Sequence, residues 1–189
     1  EVTSVSKSAE ALRGAPSSIY VITHDEILRS GATSIPEALR LAPNLQITQD
    51  SSSHYVASAR GFGGAQDAQN FSNKLLVLID GRSVYTPLYS GVYFDMQDVL
   101  MEDIDRIEVI SGPGATLWGA NAMNGVINII TRPADLTTGS IAAASGGNVE
   151  RNVSARFGSK ASPELAYRVY GKAFEREAMD LESGASARD

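Results

Sequence analysis

The sequence predicts an α+β fold in which a small mixed sheet with short helices is followed by strands alone. Three observations predict it. Two helix-start signals stand in tandem near the beginning, short apolar runs bounded by Gly, Pro and Asp-Gly turns follow, and after residue 133 only strand-sized segments remain. The 189 residues contain 43% hydrophobic side chains and no cysteine, enough for a core without disulfides. The missing cysteines leave the redox compartment open.

Residues 1–16 are small and polar with little apolar periodicity and read as an extended arm. Residues 1–7 lack the basic start and apolar stretch of a secretory signal, so the N-terminus is expected to be that of a mature or trimmed form. Residues 19–22 are a β-branched and aromatic run. Thr23 with Glu26 makes a capping box, and Gly31 closes the short helix it opens. Ser34 with Glu37 repeats the signal; Ile35, Ala38, Leu39 and Ala42 share a face, and Pro43 is expected to stop the second helix. The period then changes to two around Leu45 and Ile47, and again around Tyr55, Ala57 and Ala59, a hairpin joined by the polar residues 49–54.

Residues 61–73 read as loop and residues 74–80 as a buried strand ending in the Asp80-Gly81 turn. Residues 83–96 carry four aromatics without a helical period. A short helical turn is expected at 98–103, a strand at 106–110, a small helix between Gly112 and Gly119, and a strand at 126–131. Strands are then expected at 139–145, 150–157 and 164–174, the first two separated by residues 146–148 and the last two by residues 159–163. In the last, Leu165, Tyr167, Val169 and Ala173 share one face and Arg168 and Lys172 the other, as where one side meets lipid or protein and the other water. Three strands cannot close a barrel, so the natural molecule is expected to continue past Asp189.

Several function classes are excluded or weakened. A net charge of −6 does not provide the basic surface of a sequence-independent nucleic-acid binder, so no nucleic-acid partner is expected. The longest apolar runs, 75–79 and 126–130, fall far short of the roughly 20 residues of a membrane helix. Residues 111–114 offer glycine-rich backbone to an anion but lack the lysine and spacing of a P-loop and the downstream acid of a dinucleotide site, so a structural turn is the better account. Asp80 could be a nucleophile or metal ligand, yet no second carboxylate stands beside it in sequence; a turn role is expected, and neither an enzyme, a metal nor a cofactor. The two histidines are far apart: His24 is expected at a solvated helix start and His54 in a polar loop.

The segment 106–131, RIEVISGPGATLWGANAMNGVINIIT, reads as strand, glycine turn, one-turn helix, glycine turn and strand. It resembles the signature of the plug domain of TonB-dependent outer-membrane receptors. Other motifs of that family fall in order: Ala42-Pro43-Asn44-Leu45 resembles its "PGV" strand start, Ala59-Arg60-Gly61-Phe62 its "RGF" turn, and residues 76–81 its "VLIDG" strand. The resemblance divides the chain into a TonB-box-like arm (1–16), a plug (17–133) and the first three strands of an incomplete outer-membrane β-barrel (134–189).

What the resemblance implies is TonB-dependent uptake of a scarce nutrient, a ferric siderophore first and cobalamin or an oligosaccharide behind it. The plug would sit in a barrel of about 22 strands in the outer membrane of a Gram-negative bacterium, its N-terminus towards the periplasm. The implied partners are TonB with its inner-membrane energising complex, outer-membrane lipid, and a small-molecule or metal-chelate ligand. Glu1, Val2, Thr3, Ser4 and Val5 would pair with TonB by strand addition, a mode of low sequence demand; a plain disordered terminus is the competing account. Arg60 would lock the plug to barrel glutamates, against the alternative of a surface arginine. Ser111 stands where the family often has a second basic residue, so the lock would be altered. Two apical loops would face the ligand, with Asp50, Ser52, His54 and Tyr55 on one and Tyr85, Tyr89, Tyr93 and Phe94 on the other. Their hydroxyls and ring faces suit an organic ligand or its chelate, and packing on the barrel wall is the alternative. A plug-like soluble binding or signalling module without transport remains the second function class.

Overall fold

The computed structural model describes residues 18–59, 75–88, 90–111, 118, 122, 124–147, 150–179 and 186. The α+β expectation holds. Five strands form a mixed sheet in the order β1 (Ser18–Thr23), β6 (Ile104–Ser111), β7 (Gly125–Thr131), β4 (Leu75–Ile79) and β5 (Arg82–Ser83). Among the described residues the β4–β7 pair is parallel, and β1–β6, β6–β7 and β4–β5 are antiparallel. Two helices, α1 (His24–Ser30) and α2 (Ile35–Leu39), lie between β1 and the hairpin of β2 (Leu45–Gln49) and β3 (Tyr55–Ala59).

Alternation along the central strands sets the core. Ile107, Val109, Ile127, Ile129 and Val77 turn to one face with Ile22, and there they meet Ile27 of α1 and Ile35, Ala38 and Leu39 of α2. Each such isoleucine, removed from water entirely, contributes about 1.5–3 kcal/mol. The opposite face carries a smaller cluster of Leu76, Leu78, Ile110, Ala122 and Val126, with Ile19 and Trp118 packed on it.

The helix starts obey local chemistry, but not equally. At α1 the box forms in full: the Thr23 amide and hydroxyl donate to Glu26 Oε2 at 2.8 and 2.7 Å, and the Glu26 amide returns a bond to Thr23 Oγ1. The Thr23 hydroxyl, then its amide, and more weakly the Arg29 charge, hold the Glu26 carboxyl below its usual range. A carboxyl depressed on folding stabilises above its unfolded pKa and loses that contribution as pH falls through the folded one. Thr23→Ala is expected to cost about 1 kcal/mol, read as a lowered urea midpoint.

The second box does not form as expected. Ser34 is the N-cap of α2 but makes no side-chain cap bond. Pro36, in the first turn, lacks the amide that a cap hydroxyl could take, and Glu37 reaches past Ser34 to the amide and hydroxyl of Thr33, at 2.9 and 3.0 Å. The helix ends at Leu39, before Pro43, and tighter turns finish it with Leu41 and Ala42 amides on the Ala38 and Leu39 carbonyls.

The Asp80-Gly81 turn has positive φ at both residues, 49° and 78°, which suits Asp and Gly. Asp80 also accepts from the Thr131 amide and hydroxyl, each at 2.8 Å, tying the β4 turn to the end of β7.

Contacts divide the chain into two compact units, one of Glu1–Asp50 with His54–Thr131 and one of Ser51–Ser53 with Arg132–Asp189. The second holds an antiparallel sheet of β8 (Gly139–Gly146), β9 (Glu150–Ser162) and β10 (Leu165–Arg176), with β9 central. Here β9 runs five residues beyond the expected end. Composition reads Ser159, Lys160, Ala161 and Ser162 as loop, but the ladder to β10 continues through a register shift opposite Leu165 and Ala166. The turn shrinks to Pro163 and Glu164.

Leu165, Tyr167, Val169 and Ala173 do share a face of β10, together with Val153 and Phe157 of β9, and all are exposed. The other face carries Arg156, Arg168, Lys172 and Arg176. Tyr170 and Phe174 interrupt it, and the Phe174 ring lies 4.7 Å from the Arg176 guanidinium and 5.8 Å from the Lys172 ammonium.

Candidate functional site

The β2–β3 hairpin holds together Asp50 and His54, two of the residues expected to meet a ligand. The Asp50 amide donates to the His54 carbonyl at 3.3 Å, which closes the turn of three serines. The His54 Nδ1 lies 2.6 Å from Asp50 Oδ1. A carboxylate only accepts, so this nitrogen carries the proton and the imidazole is fixed in one tautomer.

The imidazole reaches the second expected loop. Its ring centroid lies 6.5 Å from that of Tyr93 with planes at 49°, so residues 39 apart in sequence meet. Tyr93 is positioned from behind. It precedes a 3₁₀ turn, Phe94–Met96, in which the Met96 amide donates to the Tyr93 carbonyl at 3.2 Å, and Phe94 anchors that turn in the core. Ahead of it, paired backbone bonds between Thr86 and Gly91 pinch off a small loop.

The geometry sorts the expected residues. Asp50, Ser52, His54, Tyr85 and Tyr93 are exposed or half-buried. Tyr55 and Phe94 are not available to a ligand: each is 4% exposed and belongs to the main core, because strand alternation and the 3₁₀ turn point them inward. Tyr85 packs its ring partly against the same core. Glu1, Val2, Thr3, Ser4, Val5, Arg60 and Tyr89, and all but Trp118 of the helix expected between Gly112 and Gly119, lie outside the described residues. Leu88, at 77% exposure in the pinched loop, and Met96, at 72%, were not singled out from sequence. The available signal was a large apolar side chain inside a turn-rich segment.

His24 departs from expectation. It opens α1, but its Nδ1 lies 2.6 Å from the Ile104 carbonyl and the side chain is half-buried, so it ties the helix to β6. Ser111, where the family resemblance leads one to look for a basic residue, accepts from Asn44 Nδ2 and links the start of β2 to the end of β6.

A charged cluster on β6 was also missed. Arg106 Nε donates to Glu108 Oε1 at 2.9 Å and Arg106 Nη1 to Asp105 Oδ2 at 2.6 Å. Residues two apart share a strand face, which explains the first bond; the register shift between Ile104 and Arg106 accompanies the second. Burial pulls the Arg106 pKa down, but the bonds to Glu108 and Asp105 and their charges outweigh it and raise it overall. The signal was an Arg-x-Glu pair inside an otherwise apolar strand.

Comparison with known proteins gives a consistent picture. The family model described as "TonB-dependent Receptor Plug Domain" matches residues 11–126. The vitamin B12 transporter BtuB of Vibrio vulnificus is 31% identical over 149 residues, covering 78% of this chain and 23% of the transporter. The ferric enterobactin receptor PirA of Pseudomonas aeruginosa is 28% identical over 191 residues, covering 92% of this chain and 25% of the receptor. The crystal structure of a mutant of the ferric enterobactin receptor PfeA of the same organism superposes with a TM-score of 0.61 at 25% identity, covering 86% of this chain and 25% of that one. The chain thus spans about a quarter of the length of the curated relatives it matches.

Proposed function

Because this chain belongs to the TonB-dependent receptor plug domain family, we propose that it is the gate and coupling element of a receptor that takes up a scarce nutrient across the outer membrane of a Gram-negative bacterium. The observation that carries the reading is the succession along one chain of a matched plug sheet and strands with one exposed apolar face. Such strands suit a barrel wall, apolar towards lipid and polar towards a lumen.

In this reading residues 17–133 are the plug and residues 134–189 the first barrel strands. Glu1, Val2, Thr3, Ser4 and Val5 add a strand to TonB, and Arg60 holds the plug to barrel carboxylates. Ligand capture needs no covalent chemistry. Asp50, His54 and Tyr93 present a hydrogen-bonding and aromatic surface whose members are fixed before ligand arrives, which lowers the ordering cost of binding. Tyr85 adds a half-buried ring and Leu88 exposed apolar area, and the family resemblance assigns Ser52 and Tyr89 to the ligand-facing loops as well.

We assign a ferric siderophore as ligand, on the likeness to ferric enterobactin receptors in both sequence and structure. Cobalamin is the second reading, favoured by the 31% identity to a vitamin B12 transporter. The experiment is growth of a deletion strain complemented with the full-length receptor, supplied with either ferric enterobactin as iron source or cyanocobalamin, with direct binding of each. Growth rescued by the ferric chelate alone is expected, and rescue by cobalamin alone favours the second reading. Tyr93→Ala and His54→Ala are each expected to weaken binding of the transported ligand about tenfold, the loss of one stacked or hydrogen-bonded contact of about 1.4 kcal/mol. Unchanged affinity in both variants removes this surface from the ligand site.

A further inference from the structure

The polar face of the β8–β10 sheet differs in charge from the chain that carries it. On β9 and β10 it bears Arg156, Arg168, Lys172 and Arg176 against one carboxylate, Glu150, while the whole chain has a net charge of −6. Two of the cations are fixed within the sheet unit: Arg168 Nη1 donates to the Arg132 carbonyl at 2.8 Å, and Arg176 Nε to Glu150 Oε2 at 2.7 Å. One carboxylate does not balance four cations, so these strands give the face an excess of positive charge.

Two aromatic rings stand among these charges. Alternate residues of a strand share a face about 6.6 Å apart, so Tyr170, Lys172, Phe174 and Arg176 follow one another along β10 as ring, cation, ring, cation. The Phe174 ring centroid lies 4.7 Å from the Arg176 guanidinium and 5.8 Å from the Lys172 ammonium. Even so, Tyr170 and Phe174 remain 46% and 49% exposed. The opposite face offers a contrast: there Phe157 and Tyr167 meet each other, centroids 6.3 Å apart, among the exposed Val153, Leu165 and Val169. Rings in an apolar field suit a wall turned to lipid. Rings interleaved with cations on a polar face do not, and they call for a different partner.

We propose that Tyr170, Lys172, Phe174 and Arg176 form a binding strip for an aromatic anion, an iron chelate of the catecholate type. The two rings give planar ligand arms a surface to stack on, and the flanking cations meet the negatively charged oxygens at the edges of those arms. Neither half suffices for selection: stacking alone accepts any flat apolar group, and charge alone accepts any anion. A neutral chelate without rings gains from neither. The inference rests on the uptake reading and narrows its ligand, adding to Asp50, His54 and Tyr93 a second contact surface on a different part of the chain.

The test is binding of ferric enterobactin, a catecholate iron complex of net negative charge, to the full-length receptor in detergent micelles at low and high salt. Phe174→Ala and Tyr170→Ala are each expected to weaken binding about tenfold, while Phe174→Trp, which keeps an aromatic face, stays within about twofold of wild type. Phe174→Leu keeps the apolar bulk without the ring and is expected to bind as weakly as Phe174→Ala, which separates stacking from a packing defect. Lys172→Gln is expected to weaken binding at low salt and to flatten its salt dependence, a change that lost packing alone does not produce. Phe157→Ala, on the opposite face, is expected to stay within about twofold of wild type. Wild-type affinity in Phe174→Leu or in either alanine variant of the strip overturns the proposal, and so does a loss in Phe157→Ala as large as in Phe174→Ala. If Tyr93→Ala still weakens binding in that case, the uptake reading stands without the strip. No binding of ferric enterobactin by the wild-type receptor overturns the strip and the siderophore reading together.

Discussion

Replacing Arg106 with alanine is expected to destabilise the plug sheet by about 3–5 kcal/mol, the largest single-residue effect we anticipate. Glu108 is completely removed from water, and its Oε1 accepts from Arg106 Nε at 2.9 Å. Bringing a carboxylate into such a place is costly, and the guanidinium two residues away offsets that cost only while it is present. Arg106 also holds Asp105 at 2.6 Å, so one truncation breaks two charge-assisted bonds. The loss is read as the shift in urea midpoint followed by fluorescence of Trp118, the single tryptophan of the chain. A double replacement, Arg106→Met with Glu108→Met, is expected to recover most of the stability, since a matched apolar pair needs no counter-charge. A double variant as unstable as Arg106→Ala shows instead that the side-chain shapes, and not the buried charge, matter.

Gly125→Ala is the second large effect, expected at about 2–3 kcal/mol from overpacking. A Cβ at this position would lie 2.4 Å from the Ile110 carbonyl oxygen, a backbone atom of the neighbouring strand. β6 and β7 are the second and third strands of five, paired on both sides, so neither can retreat without disturbing its other ladder. The same substitution at Gly171 of β10, where an added Cβ meets nothing within 4 Å, is expected to change stability by less than about 0.5 kcal/mol. The comparison separates a steric cost from the general effect of a glycine on the unfolded chain. Equal effects at the two positions contradict the crowding at Ile110.

How far the sequence reveals the structure depends on the distance between the partners. Thr23 and Glu26 are three residues apart, and their box forms as the pattern implies. Ser34 carries the same pattern, but Pro36 removes a receiving amide and Glu37 finds Thr33. Strand β4 is legible because an apolar run buried on both faces has no polar alternation to confuse it. The end of β9 is not, since Ser159 to Ser162 look like a loop until β10 pairs with them. Of the candidate site, the hairpin tip and the aromatic loop are visible as segments, and their meeting through His54 and Tyr93 is purely tertiary. Alternation alone does not tell which of the aromatics turn inward, which is why Tyr55 and Phe94 changed roles. Asp80 is the clearest case: its turn is written in Asp80-Gly81, while the Thr131 group it serves lies 51 residues away.

The central claim, that the chain gates and couples an energised uptake, is tested most directly by following labelled ferric enterobactin and cyanocobalamin in cells carrying the full-length receptor, with and without TonB. The account predicts that one of the two binds the cells equally in both strains. It further predicts that accumulation beyond the bound amount is lost when TonB is absent, and also when Glu1, Val2, Thr3, Ser4 and Val5 are deleted from the receptor. Equal accumulation with and without TonB, or no receptor-dependent accumulation of either compound in cells that have it, would contradict it.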